Sequence, residues 1–300
     1  MWTSSVPALL ALTLLSSAPI RAEEVALSKA GTFATPLLGY KEESNRSTPF
    51  YLWQNDPLLM TGSGSPVGST GVTGLCIPAT LTNLLARARV LAADSAGGIP
   101  LDGLSSDGKK LEGSKAILGF MRDCEIDPSA PIDPLAGAEC VSRFLNAGGL
   151  TGERVNLIRR LGARTRFPGL RYEDRAPTLS DILNAVRSED EVALTLAFMT
   201  WDPNLRVWKK SGSHMVNVTG YAYNPGDHRI LLHISNPTRR YRLDGATPVF
   251  DTIQITPQDP ATPEPLPYAP LRVTTVSGRL IEFEGKTTFV GGLIRVRISP

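Results

Sequence analysis

Apolar side chains recur every three or four residues in five stretches of the first part of the chain, which places them on one face of an α-helix. The stretch IPATLTNLLARARV is typical, because Pro78 suits a first helical turn and the apolar residues from Ile77 to Ala88 share a face. Capping residues or glycines mark several of the ends. The pattern predicts helices over residues 77–90, 112–124, 138–149, 151–162 and 178–188.

Beyond residue 190 the helical spacing gives way to shorter β-favouring segments. Residues 191–201 are rich in apolar side chains, and residues 214–223 alternate apolar with smaller or polar ones. An Asn-Pro-Gly-Asp turn at 224–227 leads to a second strand over 228–237, and we expect a loop or a hairpin over 202–213. Helices followed by antiparallel strands predict an α+β fold rather than an alternating α/β one.

The C-terminal part is organised differently. Residues 257–270 form a proline-rich stretch that we interpret as a semi-rigid linker. Four short β-like segments follow, and they either add strands to the same sheet or form a small separate module. They are the segments LRVTTVS, RLIEFEG, TTFVGG and LIRVRIS.

The N-terminus bears on the location of the protein. Residues 1–22 have the outline of a secretory signal peptide, with a short apolar core and a cleavage position after Ala22. The alternative, an N-terminal membrane anchor, needs roughly 20 apolar residues, and the apolar run is shorter. The net charge of +2 gives no indication of a nucleic-acid partner. We expect a secreted or periplasmic protein without stable membrane insertion after cleavage, and we predict no cofactor.

Export makes the three cysteines informative, because cysteines tend to pair in an oxidising compartment. Cys124 and Cys140 are sixteen residues apart and both flank helical segments, so they are the natural bridge. Cys76 then remains as an odd cysteine, which in a secreted protein marks a candidate reactive thiol. The alternative is that all three are buried thiols.

Cys76 has the sequence context that a nucleophile needs. It follows a Gly/Ser/Thr-rich loop and begins a predicted helix, where unpaired N–H groups and the helix dipole stabilise a thiolate. The loop has no Gly-Lys-Ser/Thr ending, which argues against a phosphate-binding P-loop. A thiol nucleophile also needs a base and a group that orients the base.

His214 is the best placed of the three histidines to act as this base. It opens the strand HMVNVTGY, whereas His228 follows a turn and His233 lies inside a strand. A hairpin about the 224–227 turn brings Asn236 and His214 to the same end of adjacent strands, about 5 Å apart. The Asn236 amide oxygen then accepts from one imidazole nitrogen and leaves the other for the thiol. Taken singly, each residue also reads as an ordinary strand-end residue.

The order of the motifs CIPATLTNLL, HMVNVTGY and SNP resembles the papain superfamily of cysteine peptidases. Across residues 48–240 it is most similar to the bacteriocin-processing (double-glycine) peptidase branch. The resemblance implies that Cys76 attacks a carbonyl, His214 shuttles the proton and Asn236 orients His214. It also implies that Gln54, in TPFYLWQNDP, helps to bind the oxyanion. Ile77 departs from the usual glycine after the cysteine, which would narrow the substrate cleft, and Asn236 stands where this branch has aspartate.

The resemblance therefore implies a secreted or periplasmic peptidase that cleaves peptide or isopeptide bonds in a protein or peptide substrate. It implies a papain-like α+β fold in which the nucleophile helix packs on a C-terminal antiparallel sheet. Two alternatives stay open, an acyl transferase of transglutaminase type and a non-catalytic exported binding protein on the same scaffold. The expected organisation is a signal peptide (1–22), an irregular segment (23–47), the papain-like domain (48–256) and the linker with the C-terminal β segments (257–300).

Overall fold

The computed structural model describes most of the chain from residue 75 onwards. The described residues are 75–91, 98–106, 108, 110–127, 132–152, 154–160, 169–188, 190–224, 229–237, 251–257, 271–277 and 286–298, with the backbone of two earlier strands. The predicted signal peptide, Gln54, His228, the segment 279–285 and most of the proline-rich linker lie outside this set. No helix in the described ranges is long and apolar enough to cross a membrane.

Four helices are present in the described part of the chain, and each lies on a stretch that the sequence predicts as helical. Two have clear capping signals: Asp133 accepts a hydrogen bond from Leu135 N, and Thr178 forms a capping box with Asp181. The proline after Asp133 fills a first-turn position that needs no N–H donor, which starts that helix earlier than the apolar pattern indicates. The helices are α1 (Cys76–Leu91), α2 (Gly113–Asp123), α3 (Pro134–Ala147) and α4 (Leu179–Arg187).

The predicted helix over residues 151–162 is wrong, because this stretch contains a strand at Val155–Ile158. Gly152, with a φ of 95°, adopts a backbone conformation that a right-handed helix does not tolerate. Val155 and Leu157 are buried on one side while Asn156 is half-buried on the other, which is the alternation of a strand. Pairing with strands distant in sequence therefore overrides the local helical spacing.

Eleven strands lie in the described residues. The hairpin over the predicted 202–213 region is real, with strand ends at Asp202 and Val207, and the two last predicted segments form one continuous strand. The strands are β1 (Glu24–Ala26), β2 (Glu42–Asn45), β3 (Lys110–Glu112), β4 (Val155–Ile158), β5 (Leu170–Glu173), β6 (Glu191–Asp202), β7 (Val207–Asn224), β8 (Arg229–Ser235), β9 (Asp251–Pro257), β10 (Leu271–Ser277) and β11 (Thr287–Val296).

Nine of these strands form one large sheet, in the order β10-β9-β8-β7-β6-β11-β4-β5 with β2 added beside β7. The strands from β6 to β11 pair antiparallel, and β10 also pairs with β11, which closes six strands into a ring. Strands β4 and β5 extend this ring from β11 and pair with each other in parallel. The described C-terminal strands therefore join the main sheet, which makes the sheet larger than the sequence predicts.

The core is divided between the two faces of this sheet, as strand β6 illustrates. Its residues Leu194, Leu196 and Phe198 face the ring interior, in a cluster that α4 also joins. Ala193 lies on the opposite face, in the cluster formed by α1, α2 and α3. Burying both faces is what an almost continuously apolar strand requires. Helix α1 thus packs against the middle of the sheet, on strands β6 and β7.

Candidate active site

Cys76 is the first residue of α1 and a buried free thiol, 7% exposed. Its helix starts here because Pro78 suits a first helical turn and the Ala79 N–H bonds back to Leu75 O. The other two cysteines form a disulfide between the end of α2 and the middle of α3, which confirms the predicted Cys124–Cys140 bridge. Cys76 is therefore the one cysteine of the chain that is available as a thiol.

His214 lies on β7 and links the thiol to Asn236. Its Nε2 is 2.7 Å from Asn236 Oδ1, a distance at which an Nε2–H group donates to the amide oxygen. The ring also makes a hydrogen bond with the Cys76 side chain, and Nδ1 is the nitrogen left for it. His214 is 4% exposed and Asn236 is 1% exposed, so the contacts are shielded from water.

The β7–β8 pairing explains how His214 and Asn236 meet. The sequence predicts that they face each other directly, but the hairpin turns later in the chain, with Asn224 paired to Arg229, and this offsets the two strands. A bulge between Val218 and Gly220 reduces the offset by one residue, so that Asn217 pairs with Ser235. Asn236 therefore lies opposite Val216, two residues beyond His214. Residues two apart on a strand share a face, so the diagonal pair stays within reach of a side-chain hydrogen bond.

The electrostatics of the site favour a thiolate. Burial raises the pKa of the Cys76 thiol, but the hydrogen bond and the positive charge of His214 oppose this effect. Backbone N–H groups of Met215 and Ile77 also favour the anion, and the net result is a pKa below the ordinary value for cysteine. A thiolate beside an imidazolium is the form in which a cysteine acts as a nucleophile.

A buried polar network fixes α1 against β7, and the sequence patterns did not identify it. Thr80 Oγ1 donates to Met215 O at 3.0 Å, and Asn83 Nδ2 donates to Asn217 Oδ1 at 3.0 Å. Asn217 Nδ2 donates in turn to Thr80 O at 3.1 Å. The only sign in the sequence was the presence of polar residues, Thr80 and Asn83, in a helix whose other residues are mainly apolar. This network holds α1, which carries Cys76, against β7, which carries His214.

An ion pair adds a second connection between α1 and the sheet. The Arg87 guanidinium lies 3.3 Å from a Glu191 carboxylate oxygen, where β6 begins, and both side chains are less than a tenth exposed. The pair lies three turns along α1 from Cys76. It therefore supports the orientation of the helix and does not contact Cys76.

The remaining candidate residues take other positions. Ile77 is buried and packs beside Gly137 of α3, so its side chain belongs to the helical core rather than to an open cleft. His233 contacts Thr252 of β9, and burial lowers its pKa to about 4, which keeps it neutral. Within the described ranges no group of three His, Cys, Asp or Glu side chains is arranged to hold a metal ion.

Taken together, the geometry unites Cys76, His214 and Asn236, while Gln54 lies outside the described residues. A thiolate, an imidazole and an orienting amide in this order can carry out acyl transfer, because the imidazole can both accept and return a proton. In comparisons with known proteins, no family model matched the chain and no curated protein matched it.

Proposed function

We propose that the protein is a secreted or periplasmic cysteine peptidase of papain-like fold that hydrolyses peptide or isopeptide bonds through Cys76, His214 and Asn236. The observation that carries the proposal is the continuous contact from the Cys76 thiol through the His214 ring to the Asn236 amide. The resemblance in the sequence supports the same three residues in the same chain order.

The first half of the reaction forms an acyl-enzyme. The Cys76 thiolate attacks the carbonyl carbon, a C–S bond forms, and the carbonyl electrons move onto oxygen. The Cys76 backbone N–H, at the free N-terminal end of α1, is placed to donate to this oxyanion, with Gln54 as the implied second donor. The imidazolium of His214 then protonates the leaving nitrogen as the C–N bond breaks.

The second half releases the acid product. His214, now neutral, takes a proton from water, and the hydroxide formed attacks the thioester carbon. Collapse of the second tetrahedral intermediate breaks the C–S bond and returns the thiolate and the imidazolium. Asn236 holds the imidazole orientation through both halves, because its Oδ1 accepts from Nε2 throughout.

The fold and the disulfide support the wider proposal. Helix α1 carries the nucleophile and packs on β7, the strand of the base, as the papain-like arrangement requires. The Cys124–Cys140 disulfide is consistent with an oxidising compartment, in agreement with the signal-peptide outline of residues 1–22.

The test is hydrolysis of a quenched-fluorescent peptide library by the mature chain and by matched variants. Cys76→Ala and His214→Ala are each expected to lower kcat/KM by at least about 10³-fold, because each removes a group that bonds to or protonates the substrate. Thr82→Val is the matched control on α1, because it removes a buried hydroxyl that has no partner among the described residues. Full hydrolysis by Cys76→Ala would reject the proposal.

Product analysis separates peptidase from acyl transferase. A peptidase releases the free acid in the presence of an added primary amine, whereas an acyl transferase joins the acyl group to the amine. A non-catalytic protein forms no thioester at Cys76 and leaves an activated peptide ester unchanged. Mass spectrometry of products and of the intact protein distinguishes the three outcomes.

A further inference from the structure

A groove of about 400 Å³ lies on the extension of the sheet, between strands β4, β5 and β11 and helix α4. Its size is within the range of small-molecule sites, but its lining is mainly polar and charged. Five arginines line it, against two carboxylates, Glu173 and Asp181. The arginines are Arg154, Arg171, Arg175, Arg295 and Arg297.

The strand register arranges these arginines in rows. Arg171 on β5 pairs with Asn156 on β4, and Asn156 pairs with Arg295 on β11, so the two arginines flank one asparagine. Neighbouring strands are about 4.8 Å apart, which separates the two arginine backbones by about 10 Å. Arg297 follows two residues beyond Arg295, about 7 Å along the chain, and its N–H bonds to Arg154 O.

The groove lies on the opposite face of the sheet from helix α1 and Cys76. Val155 and Leu157 of β4 and Ile294 and Val296 of β11 point into the cluster that contains α1 and Cys76. The residues between them, including Asn156 and Arg295, point to the other face, because successive side chains of a strand alternate. A ligand in the groove therefore does not contact Cys76.

Part of the positive charge is neutralised within the groove. Arg175 binds Asp181 with two hydrogen bonds of 2.6 and 2.8 Å and also pairs with Glu173. Arg295 pairs with Asp190, which adds a third carboxylate. Five arginines against three carboxylates leave an excess of positive charge. Arg171 also pairs with Glu173 at 3.3 Å, but its side chain is 63% exposed and Arg297 is exposed as well, so a ligand can reach both arginines.

We propose that this groove binds a small polyanion that carries two or more phosphate or carboxylate groups. The planar guanidinium matches such groups because it offers two parallel N–H donors. No aromatic side chain is among the lining residues, so the groove does not offer a stacking surface for a ring. The spacing of about 7–10 Å between the arginine backbones favours several charged groups on one ligand over a single ion.

Titration of the mature chain with tripolyphosphate, at physiological ionic strength in a calorimeter, tests this proposal. We expect saturable binding of one tripolyphosphate per chain, weakened about tenfold or more by Arg171→Ala and by Arg297→Ala. Arg143→Ala, at an exposed position of α3, is the matched control and leaves the affinity unchanged. Cys76→Ala also leaves it unchanged, so the result is independent of the proposed peptidase activity.

A second titration, with citrate, shows whether the groove prefers phosphate or carboxylate groups on its ligand. Tighter binding of tripolyphosphate assigns the groove to phosphate groups, and tighter binding of citrate assigns it to carboxylates. Absence of saturable binding by both anions overturns the proposal, as does equal weakening by Arg143→Ala. Circular dichroism of each variant checks the fold, and both groove positions are exposed enough for the variants to fold.

Discussion

Replacing Asn217 by alanine tests whether the buried network between α1 and β7 positions the nucleophile. The Asn217 amide accepts from Asn83 Nδ2 and donates to Thr80 O, and its side chain is almost fully buried. Alanine removes both hydrogen bonds at once. It also leaves the buried Asn83 side chain without the acceptor of its amide group, in a place where water does not replace it.

The expected cost follows from these two losses. An unsatisfied buried donor costs about 1–3 kcal/mol, and a lost hydrogen bond to the helix carbonyl costs about 0.5–1.5 kcal/mol. We therefore expect Asn217→Ala to lower the free energy of unfolding by about 2–4 kcal/mol. Because a displacement of about 1 Å in a catalytic group costs roughly 10²-fold in rate, we also expect a fall in kcat/KM of about 10- to 100-fold.

Urea unfolding at equilibrium measures the stability change, and peptide hydrolysis well below the unfolding transition measures kcat/KM. Thr219→Val is the matched control on the same strand, since the buried Thr219 hydroxyl has no partner among the described residues. Its removal is expected to be neutral or to stabilise by up to about 1 kcal/mol, because no hydrogen bond is lost. A change below about 0.5 kcal/mol with unchanged kcat/KM in Asn217→Ala would refute the positioning role.

Three further perturbations have defined outcomes. Asn236→Ala is expected to lower kcat/KM by roughly 10- to 10³-fold with little change in KM, and an unchanged rate would remove Asn236 from the site. Glu191→Gln leaves the buried Arg87 without its counter-charge and is expected to cost about 3–5 kcal/mol in urea unfolding, whereas a cost under 1 kcal/mol would show that water reaches the pair. The Cys124–Cys140 disulfide joins residues sixteen positions apart and restricts the unfolded chain, so replacing both cysteines by alanine is expected to lower the free energy of unfolding by about 3 kcal/mol. An unchanged free energy of unfolding would show that the disulfide does not stabilise the protein in this way.

The helices show where sequence patterns are sufficient. Helix α1 combines an apolar stripe with a proline in the first turn, and these local signals survive in the folded chain. Residues 155–158 carry a similar apolar spacing but form β4, because they pair with β11. Strand β11 lies more than 130 residues further along the sequence. A local pattern contains no information about that partner, so the prediction of a helix failed for a physical reason.

The site shows the same division. The chain order of Cys76, His214 and Asn236 and the turn between the strands suggested their proximity. The β7–β8 hairpin brings His214 and Asn236 together, and the packing of α1 on β7 adds Cys76. The bulge that brings Asn236 within diagonal reach of His214 leaves no clear mark in the sequence, because it depends on how β7 pairs with β8. The Asn83–Asn217 contact joins residues 134 positions apart and had no local signal beyond their polarity.

The most direct test of the account is the pH dependence of Cys76 alkylation by iodoacetamide in the native protein. The disulfide protects the other two cysteines, so the rate of modification reports the thiolate fraction of Cys76. Because His214 holds the pKa of Cys76 below its ordinary value, we predict fast alkylation that persists well below about pH 8.5. In His214→Ala only the backbone N–H groups of Met215 and Ile77 still oppose the effect of burial, which is the largest influence, and the apparent pKa of Cys76 should rise to the ordinary value or above it. An apparent pKa at or above the ordinary value in the unaltered protein, or one that His214→Ala leaves unchanged, would contradict the assignment of Cys76 as the activated nucleophile.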